Sequence, residues 1–224
     1  MKTLVCDEER FFEDTKGHKM TVIRDDGVNR HLRFNKPGTY IYGYDIITWP
    51  EHLCITGDCG TYVFSRVTDM FEFFRMDERD FNYKRDKKLS INPGYWGEKL
   101  LSIDRNCGYE EFSDSIFEDV LKGQFEQWEF ENEDQKSEVW DEIEHDVLMH
   151  AGDGEHAAYE AGNSFISSYG HEFYELWDHS YKDFTWHFLW NLYAIVQGIK
   201  TYDELENTDG SRRSENSAPL QAQG

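Results

Sequence analysis

The sequence predicts an α+β protein, an N-terminal antiparallel β-meander packed against a C-terminal helical half with a central buried aromatic helix. Three observations predict it. Short apolar runs broken by tight turns fill residues 20–75, apolar residues recur at helical spacing from residue 90 onward, and one late segment is apolar almost all round. An aromatic content of 16 %, with 7 Trp, 13 Tyr and 16 Phe, supplies core material that a disordered acidic chain would lack.

Residues 7–17 have weak helical character and end at Gly17. Strands are expected at 20–24 and 28–34, joined through Asp25-Asp26-Gly27, a hairpin type of turn. Lys36-Pro37-Gly38 makes the next turn. Residues 40–49 read as one strand covered on both sides, with Tyr40, Tyr42, Tyr44 and Ile46 on one face and Ile41, Ile47 and Trp49 on the other. Strands 52–56 and 61–66 flank Gly57-Asp58-Cys59-Gly60, a second hairpin. Thr68 is then expected to cap a short helix carrying Met70, Phe71, Phe73 and Phe74.

Residues 76–89 form a charged connection, and beyond it the pattern turns helical. Asn92-Pro93 is a helix start, with Trp96, Leu100 and Ile103 on one stripe and an end near Asn106-Cys107-Gly108. Ser113 caps the next helix, followed by helices over about 135–150 and 153–170. The small residues Ala157, Ala158, Ala161 and Gly162 on the latter permit close packing. The segment 182–199 is apolar nearly all round and belongs at the centre of a core. A capping box from Thr201 to Glu204 predicts a separate short turn after it. The expected organisation is a single domain over 1–206 with one shared core, the alternative being a boundary within 76–89. Residues 207–224, polar and small, are expected to be disordered.

Net charge is −22, and it is unevenly placed. Residues 1–110 hold 17 Lys and Arg against 19 Asp and Glu, a net of −2, while 111–224 hold 6 against 26, a net of −20. Such a chain is poorly suited to a phosphate backbone or an anionic membrane. It suits the basic surface of a protein or protein complex, and leaves homo-oligomerisation open. Cys6, Cys54, Cys59 and Cys107 read as reduced thiols, since the first ten residues place charges where a secretory leader needs an apolar run. No run of 18 apolar residues occurs.

Between residues 126 and 146 the carboxylates crowd together. Glu129, Glu131, Glu133, Asp134, Glu138, Asp141, Glu142, Glu144 and Asp146 face a single base, Lys136. Asp134, Glu138, Asp141 and Glu142 fall along one side of a helix, about 5–6 Å apart. That spacing approaches the charge density of one nucleic-acid strand, about 3.4 Å per phosphate. The plainer alternative is a solvated helix face with no partner.

Catalytic and metal patterns are weak by comparison. Glu142-x-x-His145 matches half of a di-iron pair, but no second copy occurs. His52-x-Cys54 with Cys59 lacks the paired spacing of a zinc site. Asp45, His52 and Asp58 could form an acid/base cluster, yet no nucleophile motif or phosphate-binding loop accompanies them. Tyr40, Tyr42 and Tyr44 have the composition of a base-stacking platform, but only residues 84–88 offer a cationic groove for it, and core packing is the favoured reading. No cofactor, metal ligand set or catalytic residue is assigned, and a binding protein is favoured over an enzyme.

Several of these segments resemble a family of uncharacterised bacteriophage and prophage proteins. The similar stretches are Ile23-Arg-Asp-Asp-Gly-Val-Asn-Arg-His-Leu-Arg-Phe34, Asp45-Ile-Ile-Thr-Trp-Pro-Glu-His-Leu-Cys-Ile-Thr-Gly-Asp58, Gly60-Thr-Tyr-Val-Phe64, Asp69-Met-Phe-Glu-Phe-Phe-Arg75, Asn92-Pro-Gly-Tyr-Trp96 and Phe184-Thr-Trp-His-Phe-Leu-Trp190. The resemblance implies a phage origin and residence in the cytoplasm of a bacterial host. By analogy with small acidic phage proteins it implies an anti-defence inhibitor, for instance of the anti-CRISPR kind. The expectation is therefore a non-enzymatic accessory protein that binds a host nucleic-acid-handling or defence complex through a partly DNA-mimicking acidic face. A small enzyme or metal-binding protein centred on the Asp45–Asp58 hairpin, or an assembly subunit, are the alternatives.

Overall fold

The computed structural model describes residues 6–76 and 87–216. Helix α1 (Glu8–Asp14) begins at Asp7, whose carboxylate accepts from the Arg10 backbone N–H at 2.8 Å. Strands β1 (Lys19–Asp26), β2 (Asn29–Asn35), β3 (Tyr44–Trp49), β4 (His52–Gly57) and β5 (Gly60–Ser65) follow as successive hairpins. After α2 (Met70–Phe74) and α3 (Pro93–Gly97), β6 (Leu100–Ile103) completes a six-stranded antiparallel sheet whose spatial order is its chain order. The expected N-terminal meander is present, one strand larger than the sequence suggested.

Register explains which face is buried. Leu32, Ile46, Ile55 and Tyr62 sit opposite one another across β2 to β5, and all four are fully buried. Phe34 and Tyr44 extend this face as a stacked pair, ring centroids 4.7 Å apart. On the other face the corresponding row is Arg33, Asp45, Thr56 and Thr61. The second hairpin turns tightly at Gly57 and Gly60. A side chain at Gly57 would collide with the Gly43 carbonyl, and Gly60 has φ +97.

A helical segment then interrupts the sheet-forming sequence. It runs through β7 (Glu110–Phe112), α4 (Asp114–Phe125), α5 (Glu133–Ile143), a wide π-turn at Glu144–Leu148, α6 (Met149–Ala151), α7 (Glu155–Ser164) and β8 (Lys182–Phe184). Strands β7 and β8 pair with each other, Glu110 opposite Phe184, so the segment's two ends lie side by side. The last helix, α8 (Trp186–Asn216), returns to the sheet.

Contacts divide the described residues into two compact units, Glu110–Phe184 and the rest of them. The division falls neither within 76–89 nor at the end of the sheet sequence, and each unit has buried residues of its own. In the sheet unit α8 places Phe188, Leu192, Ile195 and Ile199 in the core, and Trp190 packs edge-on against both Phe11 and Tyr44. The predicted central aromatic helix is thus observed, as part of the sheet unit. In the other unit Phe117, Leu121, Phe125, Val139, Ile143 and Val147 form the cluster. Gly162 of α7 lets Leu176 and Phe117 approach, as its small-residue stripe predicted.

Several local expectations are corrected. Residues 40–43 form a turn rather than strand, with Tyr42 at φ +54 and Tyr40 and Ile41 exposed, so no aromatic stacking strand exists there. Leu100 and Ile103 lie on β6 rather than on a helix stripe, because pairing with β5 outweighs their helical spacing. Asp69, not Thr68, caps α2. Helix α7 starts after Gly154 and stops at Ser164, short of Gly170. Strand β8 occupies the first residues of the expected 182–199 helix. No break occurs at Thr201, whose hydroxyl donates to the Gln197 carbonyl within the continuous α8. Of the tail expected to be disordered, residues 207–216 continue that helix, and 217–224 lie outside the described residues, as do 77–86 of the charged connection.

Candidate functional site

The acidic segment is a structural unit of its own. Residues 110–184 carry 22 Asp and Glu against 3 Lys, a formal −19 of the chain's −22. The charge boundary therefore follows the fold more closely than it follows either half of the sequence. Two of the three lysines are engaged. Lys122 pairs with Glu118 and lies over the Trp140 ring, and Lys136 lies over Phe125.

Helix α5 presents the row. Asn132 caps it by accepting from the Gln135 N–H at 2.9 Å, which places Glu133 and Asp134 in the first turn, where the helix dipole favours negative charge. Val139 and Ile143 point into the core, which turns Asp134, Glu138 and Asp141 outward. Glu129 and Glu131 precede the helix, and Glu144 and Asp146 stand in the π-turn that widens its end. Of the nine expected carboxylates, all are exposed except Glu142, which is half-buried. Among the described residues none of the nine forms an ion pair with a Lys, Arg or His.

Three of them are held by neutral donors. The Tyr169 hydroxyl donates to Glu138 at 2.6 Å, the Ser168 N–H to Glu142 at 2.9 Å, and Trp140 Nε1 to Glu144 at 2.7 Å. Asp134, Glu138 and Asp141 thus share the exposed side, Glu138 and the half-buried Glu142 both bonding the 165–171 loop and Glu144 bonding Trp140. That loop is itself fixed. Ser167 Oγ accepts from the His171 N–H at 2.9 Å, the His171 ring stacks on Trp128 at 4.9 Å, and its Nε2 donates to the Glu129 carbonyl at 3.1 Å. Sequence periodicity missed this loop, and its signal was the cluster Ser167-Ser168-Tyr169-Gly170 after a helix end. His145 is exposed, and among the described residues no group of three His, Cys, Asp or Glu side chains is arranged to hold a metal ion.

The second candidate cluster rearranges. Asp45 is buried, and Arg33 grips it in a two-pronged pair, Nε to Oδ1 at 2.9 Å and Nη2 to Oδ2 at 2.8 Å. His31 Nε2 donates to the same Oδ2 at 2.7 Å. Burial pushes the Asp45 carboxyl up, but the hydrogen bonds from Arg33 and His31 outweigh it and hold the group below the usual carboxylate range. The other two expected members are elsewhere. Asp58 accepts from the Tyr42 N–H at 2.8 Å, fixing the left-handed turn. His52, at the far end of β4, donates to the Pro50 carbonyl and stacks on Trp49 at 5.0 Å. His31 and Arg33 were legible only as alternate residues of one strand opposite Asp45.

Cys6 and Cys59 are not poised for reaction. Burial, then neighbouring carboxylates, push Cys6 and Cys59 up to about 12, leaving them as thiols at neutral pH. Among the described residues, no helix is long and apolar enough to cross a membrane. Comparison with family models, with curated proteins and with solved structures finds no match to this chain.

Proposed function

We propose that this chain is a non-enzymatic phage accessory protein whose Glu110–Phe184 unit binds the basic surface of a host nucleic-acid-handling or defence complex and inhibits it. One observation carries the proposal: a single compact unit holds a formal −19, with eight of its nine clustered carboxylates exposed and none ion-paired among the described residues. Like charges crowded on one helix destabilise it, so their retention points to use. Asp134, Glu138 and Asp141 stand four and three residues apart, about 6 and 4.5 Å along the axis. A groove that accepts phosphates can accept such a row. The phage origin, the bacterial cytoplasm and the anti-CRISPR-like analogy rest on the sequence resemblance alone.

The test is capture of host proteins by the immobilised full chain from infected bacteria. A nucleic-acid-binding complex is expected, released by duplex DNA and by raised salt, and not captured by a variant carrying Asp134→Lys, Glu138→Lys and Asp141→Lys. Undiminished capture by that variant, or capture that DNA does not compete, would overturn the proposal.

A further inference from the structure

The acidic unit exposes more than charge. Met149 is 66 % exposed, Ile166 65 % and Tyr169 48 %, and all three are large apolar side chains. They lie among the carboxylates rather than apart from them. Tyr169 bonds Glu138 through its hydroxyl, and the preceding residue, Ser168, holds Glu142. Ile166 and Phe165 share a groove of about 320 Å³ with Asp146 and His150, and Met149 adjoins His150 on α6.

A surface that only imitated a phosphate backbone would have no use for exposed Ile and Met, since the cationic grooves that grip phosphates do so by charge. A polypeptide that interleaves Lys or Arg with apolar side chains satisfies both features at once. We infer that this surface docks a basic amphipathic segment of the partner protein. Ile166, Tyr169 and Met149 form the buried centre, and Glu138, Glu142 and Asp146 form the charged rim, the arrangement in which interface energy concentrates on a few central side chains. The 165–171 loop presents Ile166 and Tyr169 already fixed by Ser167 and His171, so little freedom is lost on binding. This inference rests on the acidic-face reading and specifies the partner's chemistry.

Two probes separate it from that reading: a short helical peptide of Leu and Lys at amphipathic spacing, and oligolysine with the same number of lysines. Binding of each to the full chain is measured by fluorescence anisotropy at about 0.15 M salt, where long-range attraction is screened beyond about 8 Å. The amphipathic peptide is expected to bind about tenfold more tightly, and Ile166→Ser with Met149→Ser to remove about that difference while leaving oligolysine affinity unchanged. Both sites are exposed, and unchanged circular dichroism of the variant would show the fold intact. Equal affinity for the two probes, or no effect of the paired substitution, overturns the inference and leaves the acidic-face reading standing. Failure of both probes to bind overturns the two together.

Discussion

The sheet unit and the acidic unit use charge in opposite ways. In the first, Arg30 grips Asp69, Arg33 grips Asp45 and Arg75 grips Asp203, each through two hydrogen bonds at 3.0 Å or less. Arg30 also lies over the Phe71 ring, 4.5 Å from its centroid, so the charge is enclosed as well as paired. In the second, carboxylates face water, and an aromatic and aliphatic cluster around Phe117, Phe125 and Val139 must offset their mutual repulsion. Paired charge is architecture. Charge left without a counter-ion is available to a partner.

Breaking either core should have the largest effect. Trp190→Ala in the sheet unit and Phe117→Ala in the acidic unit each remove a fully buried ring, and each is expected to cost about 3–5 kcal/mol in denaturant unfolding. Hydrogen exchange would locate the first loss at β3 and the second at α4. Next come the helix glycines. Gly198→Ala drives a methyl into Ile46 Cδ1 and to 3.3 Å from the Phe34 ring, and should destabilise by about 1–3 kcal/mol. At Gly162 the tightest neighbour is the end of the Leu176 side chain, at 2.7 Å. There the helix preference for Ala, about 1 kcal/mol, should cancel most of the strain.

Asp45→Asn sharpens the contrast in charge. It weakens the Arg33 and His31 bonds and should cost about 1–3 kcal/mol, whereas Asp141→Asn on the acidic row should change stability by less than about 0.5 kcal/mol. The pH dependence has a definite sign. Burial raises the carboxyls of Asp45 and Asp69, but their arginine partners lower them further, so the net shift is downward. Their stabilisation is therefore complete above the unfolded value of about 3.9 and is lost as pH falls through the lower folded values. Asp45→Asn should flatten the acid limb of the melting curve. Smallest is the response to salt. Raising it from about 0.05 to 0.5 M should slow exchange in α5, by screening carboxylate repulsion, and leave β3 nearly unchanged.

Legibility followed the range of the interactions. The hairpins were readable because Asp25-Asp26-Gly27 and Gly57-Asp58-Cys59-Gly60 are local turn signals flanked by apolar runs, and both turns formed where expected. Strand β6 was not, because Trp96, Leu100 and Ile103 have helical spacing and only β5 supplies the competing pairing. The carboxylate row could be placed on one side of a helix from its spacing alone. That Glu142 accepts from the Ser168 N–H depends on a residue 26 positions away, beyond any local pattern.

What the sequence by itself determined is the chemistry and the local geometry: where the acid lies, which turns close hairpins, and which late helix is apolar enough to fill a core. Tertiary structure alone decided how these parts are grouped. It assigned α8 to the sheet, where Asn191 of that helix donates to the Cys59 carbonyl 132 residues earlier. It also closed the acidic helices into a unit of their own through the β7–β8 pair. The reason is physical: turns and amphipathic faces depend on residues a few positions apart, whereas grouping depends on which apolar faces meet once the chain has folded.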